Sequence, residues 1–170
     1  LDLIPAHGLH EQVAALRRVS EQFARHGITW VQDAFVSHHE VPAWLAAASS
    51  GALSFRADLA FLAGPSTWSE ELPMMVADRS AVEDQGRGWL SASTVKFFAD
   101  GVIESGTAAM IEDYHDCPHS RGMLNWSATG LAEAMAAVDD AGFDCHIPAR
   151  GDAGSRAILG ASADVRRRNG

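Results

Sequence analysis

The chain of 170 residues is predicted to be an α/β protein built of parallel strand and helix units. Three observations lead there. An amphipathic helical stretch, a glycine stop and a short apolar strand follow one another three times, ending in strands at 28–31, 53–62 and 143–147. Alternation of this kind specifies a parallel sheet with right-handed crossovers. The composition, 47% apolar and 21% charged, is that of a globular chain with enough apolar side chains for one sizeable core. Pattern alone leaves two architectures, an open doubly wound sheet and a closed barrel.

The first helix is read from Leu9, Val13, Leu16, Ser20 and Phe23, which fall at helical spacing, with Val19 and Ala24 widening the stripe. Gly27 is placed as its left-handed stop. Asp33 then lies at the carboxyl end of strand 28–31, where a parallel sheet presents functional groups, although an aspartate there also forms turns. Pro42 suits the first turn of a second helix that reaches Ala48 and is stopped by Gly51 ahead of strand 53–62. His38 and His39 sit in the intervening loop; neighbouring side chains diverge, so a solvated loop is expected rather than two ligands to one metal. Residues 64–87 carry Pro65, Pro73 and mixed charges and read as one irregular helix with loops.

A strand at 95–100 comes next, then a short helix at 104–110 and a loop holding Asp113, His115, Asp116, Cys117 and His119. Pro118 and the missing second half of any finger-type spacing make that loop a polar one rather than a zinc site. Ser127 or Thr129 caps a helix with an apolar face of Leu131, Met135, Ala136 and Val138, which Gly142 ends. After strand 143–147, Gly151 and Asp152 open a last helix reaching Val165.

Charge and cysteine content narrow the function. A net charge of −9, with basic residues clustered only at Arg166–Arg168, argues against a nucleic-acid surface. No apolar run approaches a membrane span and no signal peptide is visible. Cys117 and Cys145 show no disulfide spacing, so a reducing, cytoplasmic compartment is expected. Leu1 in place of a methionine suggests a piece of a longer chain.

The chemistry centres on residues 91–114, SASTVKFFADGVIESGTAAMIEDY, which put a lysine and an aspartate where a buried strand carries apolar residues. On a strand, Lys96, Phe98 and Asp100 share one face, and Gly101 ends the run. If that face looks into a core, desolvation lowers the Lys96 pKa, and a partner or a chemical modification is expected. The same pattern also fits an edge strand with Lys96 and Asp100 in water.

VKFFADGVIESGTAAMIEDY resembles the VKxFADG…TAA…Y stretch of the amidohydrolase superfamily, most closely its YtcJ-like (amidohydrolase 3) branch. ARHGITWVQDA at 24–34 and AGFDCHIPARGDAGSRAILGA at 141–161 agree in order and spacing, so the similarity spans nearly the whole chain. The resemblance implies a metal-dependent hydrolase with a TIM barrel, of which residues 1–170 would hold about half, roughly strands two to five, with no second domain. It implies hydrolysis of non-peptide, amide-type C–N bonds in a small-molecule substrate by a metal-activated water, with a divalent cation for which zinc is the family's suggestion. Lys96 would become a carbamate bridging two cations; its alternative is a salt bridge to Asp100 or Asp33. Asp100 would orient the site or form a turn with Gly101.

The chain departs from the family where a histidine ligand precedes an A-x-G-D segment. It reads His146, Ile147, Pro148, Ala149, Arg150, Gly151, Asp152, so Pro148 stands at the ligand position and His146, one pleat deeper, is the substitute candidate. Asp33, Asp100 and Asp152 are possible site-lining residues. The family's first-strand H-x-H, sixth-strand histidine and eighth-strand aspartate have no counterpart, which implies that this piece alone is inactive and that its open half-barrel edges self-associate. A different class of function stays open: Gly151, Asp152 and Gly154 follow a strand and open a helix, so their N–H groups offer an anion- or nucleotide-binding module.

Overall fold

The computed structural model describes residues 7–170. Helices and strands alternate along the chain: α1 (Leu9–Arg25), β1 (Trp30–Val36), α2 (Val41–Ser49), β2 (Arg56–Leu62), α3 (Trp68–Gln85), β3 (Leu90–Lys96), α4 (Ala128–Asp140), β4 (Asp144–His146) and α5 (Asp152–Asn169). The strand order is β1-β2-β3-β4, with β1 parallel to β2 and β3 parallel to β4. A doubly wound sheet reverses its order at a switch point. This order has no reversal, the order in which consecutive strands run in part of a TIM barrel. Among the described residues no helix is long and apolar enough to cross a membrane.

Two compact units make up the chain, Leu1–Phe61 with Pro73–Ser93, and Leu62–Leu72 with Thr94–Gly170. In the first, α1 packs on α2, and Phe55, 1% exposed, meets Phe23 and Trp44 edge-on at ring separations of 5.0 and 6.3 Å. Edge-on contact suits the ring quadrupoles and fixes where α1 and α2 sit over the loop before β2. Gly27 ends α1 at φ +69, as expected. The first strand runs 30–36 rather than 28–31, because the ladder to β2 carries it through Gln32 and Asp33 to Val36. Asp33 therefore lies inside β1, opposite Leu59, and not at its carboxyl end. Residues 53–55, expected to be strand, are a loop that buries Leu53 and Phe55 and that the exposed Ser54 fastens to Ser20 of α1, its hydroxyl donating to the Ser20 carbonyl at 2.8 Å.

The second unit packs α4 against α5 and buries Leu131, Ala134, Met135, Ala136 and Val138 of α4. Ser127 is the cap: its hydroxyl accepts the Gly130 N–H at 3.0 Å. The helix expected at 104–110 shrinks to a single 3-10 turn, Ile103–Ser105, closed by Gly106 at φ +66. The reason is that the amides needed to continue it are taken elsewhere. Thr107 and Ala108 donate to the Val102 carbonyl, Met110 to the Arg121 carbonyl, and Ala109 to the Asp100 carboxylate.

Candidate functional site

Lys96 is the last residue of β3 and His146 the last of β4, and the register places them directly opposite each other. In-register neighbours on parallel strands project to the same face, so both side chains stand together at carboxyl strand ends, where barrels carry their chemistry. Backbone pairing continues past the formal ends: Phe97 N–H donates to the His146 carbonyl at 2.9 Å and Ala99 N–H to the Pro148 carbonyl at 3.3 Å. This extension holds the FFAD segment beside the loop after β4.

Lys96 is only 8% exposed, and its Nζ lies 5.1 Å from the centre of the Phe98 ring. Burial lowers its pKa from the ordinary lysine value. The His146 pKa is lowered first by burial and then by the Lys96 charge, which favours the neutral imidazole, the form that ligates metals. Among the described residues Lys96 forms no ion pair. The salt bridge to Asp100 is replaced by another arrangement.

Asp100, 5% exposed, has both carboxylate oxygens engaged by backbone: Oδ2 accepts the N–H of Ala109 at 2.9 Å and of Gly151 at 2.8 Å, and Oδ1 that of Arg150 at 3.0 Å. It does not make a turn with Gly101, whose N–H goes to the Thr107 carbonyl at 3.3 Å. Instead it ties the loop after β3 to the loop after β4. Gly154 allows this closeness, since a Cβ there would lie 2.6 Å from Asp100 Oδ2. At Gly151 a Cβ would lie 1.8 Å from the Ala109 carbonyl oxygen.

These contacts overturn the reading of Gly151–Gly154 as an anion cradle. Gly151 N–H serves Asp100, and Ala153 and Gly154 N–H both serve the Ala109 carbonyl. The start of α5 already holds an anion, the protein's own carboxylate. Asp152 is exposed and braces the same junction, with Oδ1 accepting the Ile111 and Ala153 N–H groups at 2.8 Å each. Asp33, in the first unit, has its pKa raised chiefly by burial, opposed by a hydrogen bond from Phe35 and reinforced by the charge of Glu40.

Phe98, the ring that Lys96 touches, also lines a hollow of about 290 Å³ together with Asp100, Val102, Asn125, Pro148 and Arg150; Lys96 and His146 are not among its lining residues. Asn125 fixes its wall, donating from Nδ2 to the Phe98 and Asp100 carbonyls and from its N–H to the Ala99 carbonyl. Pro148 contributes a surface there and no metal donor. Among the described residues no group of three or more His, Cys, Asp or Glu side chains is placed to hold a metal ion. A lysine ammonium has no lone pair to give, so Lys96 and His146 do not by themselves compose a metal centre.

A model of the amidohydrolase family matches residues 1–170. The chain belongs to the amidohydrolase family. Two solved structures share the fold of this amidohydrolase-family chain, both uncharacterized metal-dependent hydrolases. The one from Pyrococcus horikoshii OT3 has a TM-score of 0.71 at 20% identity, over 92% of this chain and 31% of that one. The one from Pyrococcus furiosus has a TM-score of 0.73 at 18% identity, over 94% and 32%. The Arabidopsis thaliana protein LONG AFTER FAR-RED 3 is 31% identical over 104 residues, which is 61% of this chain and 17% of that protein. The amidohydrolase-family chain thus spans about a third of the two structures and a smaller share of the plant protein.

Sequence reasoning passed over two buried carboxylates, Asp78 of α3, which pairs with His38 at 2.7 Å, and Asp58. Asp58 of β2, 4% exposed, accepts from Gln32 Nε2 at 3.0 Å, from the Ser91 hydroxyl at 2.8 Å and from both the N–H and hydroxyl of Ser93. Its signal was present: an aspartate inside the apolar run RADLAFL is the same anomaly that drew attention to Lys96. Arg150 and Asn125 carried no such signal, because both come from loops.

Proposed function

We propose that this amidohydrolase-family chain is part of a metal-dependent hydrolase acting on amide-type, non-peptide C–N bonds. The observation that carries the reading is the pairing of Lys96 with His146 at the ends of β3 and β4, with both pKa values pushed toward the neutral forms. A divalent cation, for which we propose zinc, supplies such a reaction with an acidified water and a polarised carbonyl.

The side chains at hand prepare that centre. Burial against Phe98 favours the Lys96 amine, whose lone pair attacks carbon dioxide; a C–N bond forms, the amine proton leaves to solvent, and an anionic carbamate results. His146 stays neutral beside it, and the Phe98 ring screens the amine from water. Because the described residues hold no group of three or more such donors placed for a metal, we propose that these 170 residues do not hydrolyse amides alone. The unpaired state of Cys117 and Cys145 supports a reducing, cytoplasmic setting. Self-association through β1, the outermost strand of the order, belongs to the same proposal, since Trp30 and Phe35 on it are 55% and 56% exposed.

Carbon-13 NMR in labelled bicarbonate tests the reading. A carbamate resonance that disappears in Lys96→Ala is the expected result. Its absence from the unaltered protein at alkaline pH, where the amine is neutral, removes the basis for the assignment.

A further inference from the structure

We propose that His38 and His39, in the turn after β1, bind a late first-row divalent cation such as Zn²⁺, with the buried Asp78 carboxylate orienting the His38 ring. Neither histidine belongs to the Lys96–His146 pair, so this site stands or falls apart from the hydrolase reading.

The buried positions of α3 are Met75, Asp78 and Val82. Asp78 thus interrupts an apolar stripe, and a carboxylate taken out of water there needs a partner. The partner is His38, whose Nδ1 lies 2.7 Å from Asp78 Oδ2. An ionised carboxylate only accepts hydrogen bonds, so Nδ1 carries the proton and, in the neutral ring, Nε2 carries the lone pair. The His38 side chain is 54% exposed and that of Asp78 only 11%. A ring fastened through one nitrogen to a buried acid and otherwise open to solvent is the arrangement that metal-ligating histidines share. The carboxylate fixes the tautomer and the ring plane and raises the basicity of the far nitrogen.

The turn itself is held in place. His38–Glu40 form a single 3-10 turn, and Glu40 Oε2 accepts both the N–H and the hydroxyl of Ser37 at 2.8 Å. Val36 and Val41 on either side are 1% and 2% exposed. The sequence suggested neighbouring side chains that diverge, yet the rings of His38 and His39 have their centres 5.7 Å apart, at an angle of 61°. An ion about 2.0–2.1 Å from a coordinating imidazole nitrogen is roughly 3.2 Å from the ring centre, so two imidazoles on one ion have centres about 5–6 Å apart. The two rings already have that separation. Among the described residues no group of three or more His, Cys, Asp or Glu side chains is placed to hold a metal, so water completes the shell. Two imidazoles with water suit Zn²⁺, Cu²⁺ or Ni²⁺, whereas Mg²⁺ and Ca²⁺ ask for oxygen ligands.

Long-range proton–nitrogen NMR of the histidine-labelled 170-residue chain, in mildly alkaline buffer, tests each step. Before metal is added, His38 is expected to carry its proton on Nδ1; a proton on Nε2 instead overturns the proposal. On titration with Zn²⁺ alone, His38 Nε2 and one ring nitrogen of His39 are expected to shift together and saturate at one ion per chain. His38→Ala and His39→Ala should each weaken that binding at least about tenfold, and Asp78→Asn by about ten- to a hundredfold. His39→Ala alters only an exposed ring, so it carries the test if either of the other variants fails to fold. Zn²⁺ shifts confined to other histidines, an affinity unchanged in His39→Ala, or a folded Asp78→Asn that binds as tightly as the unaltered chain overturns the proposal.

Discussion

Replacing Asp100 by alanine removes a 5%-exposed carboxylate that gathers three backbone N–H groups at 2.8–3.0 Å. Hydrogen bonds to a charged group contribute about 1.5–3 kcal/mol each, and three of them do not add, because burying the carboxylate has its own cost. What decides the outcome is the state left behind. Ala109 and Gly151 are buried and the Arg150 N–H is partly so, and with the carboxylate gone these donors face each other without an acceptor. We expect a loss of about 3–5 kcal/mol, a large share of the ~5–15 kcal/mol of a typical domain. Asp100→Asn keeps one acceptor oxygen but turns an amide NH₂ toward a backbone N–H, and should lose about 1–3 kcal/mol.

Urea unfolding measures the total, and hydrogen exchange at the Ala109, Arg150 and Gly151 amides shows whether the loss is local. Gly154→Ala probes the junction from the other side, since its Cβ would press to 2.6 Å from Asp100 Oδ2. In the Asp100→Ala background that clash is relieved, so the two changes should cost less together than the sum of their separate effects. An Asp100→Ala loss under about 1 kcal/mol with an unchanged denaturant slope, or strict additivity with Gly154→Ala, refutes the idea that this carboxylate joins the two loops.

Lys96 and His146 both have lowered pKa values, so in each case the unfolded chain binds more protons just below the ordinary pKa and stability rises with pH there. Lys96→Met should therefore stabilise at neutral pH, the advantage fading as pH climbs into the ordinary lysine range, and by NMR titration His146 should move back up toward 6.5 because one of its two causes is gone. The Cys145 thiol is pushed up to about 11, first by burial and then by Asp139 and Asp144; iodoacetamide at mildly alkaline pH should modify Cys117 well before Cys145, and equal rates would contradict this. If β1 is a pairing edge, light scattering should show mass rising with protein concentration, and Phe35→Lys should suppress the rise.

The order of elements was legible because helix stops and strand starts are local events: Gly27, Gly51 and Gly142 all adopt positive φ where the sequence asks for it. Strand lengths were less legible, since a ladder, not propensity, carries β1 through Gln32 and Asp33 and replaces strand by a buried loop at 53–55. The choice between a doubly wound sheet and a barrel is one that no periodicity encodes; the resemblance carried by VKFFADG and its companion stretches made it.

The two aspartates show where local reading fails on the site itself. Asp100 precedes a glycine, and an aspartate before a glycine has a ready local explanation as a turn. Its actual partners at 109, 150 and 151 are set by how the loops after β3 and β4 meet, so they leave no trace near residue 100. Gly151 and Asp152 had an equally ready explanation as an anion-binding helix start, and the physics of that reading was sound. The anion it calls for is present, covalently attached fifty-one residues earlier in the chain as the Asp100 side chain. Satisfying the amides from within leaves the start of α5 with no free N–H groups at Gly151, Ala153 and Gly154 to offer a ligand's charge.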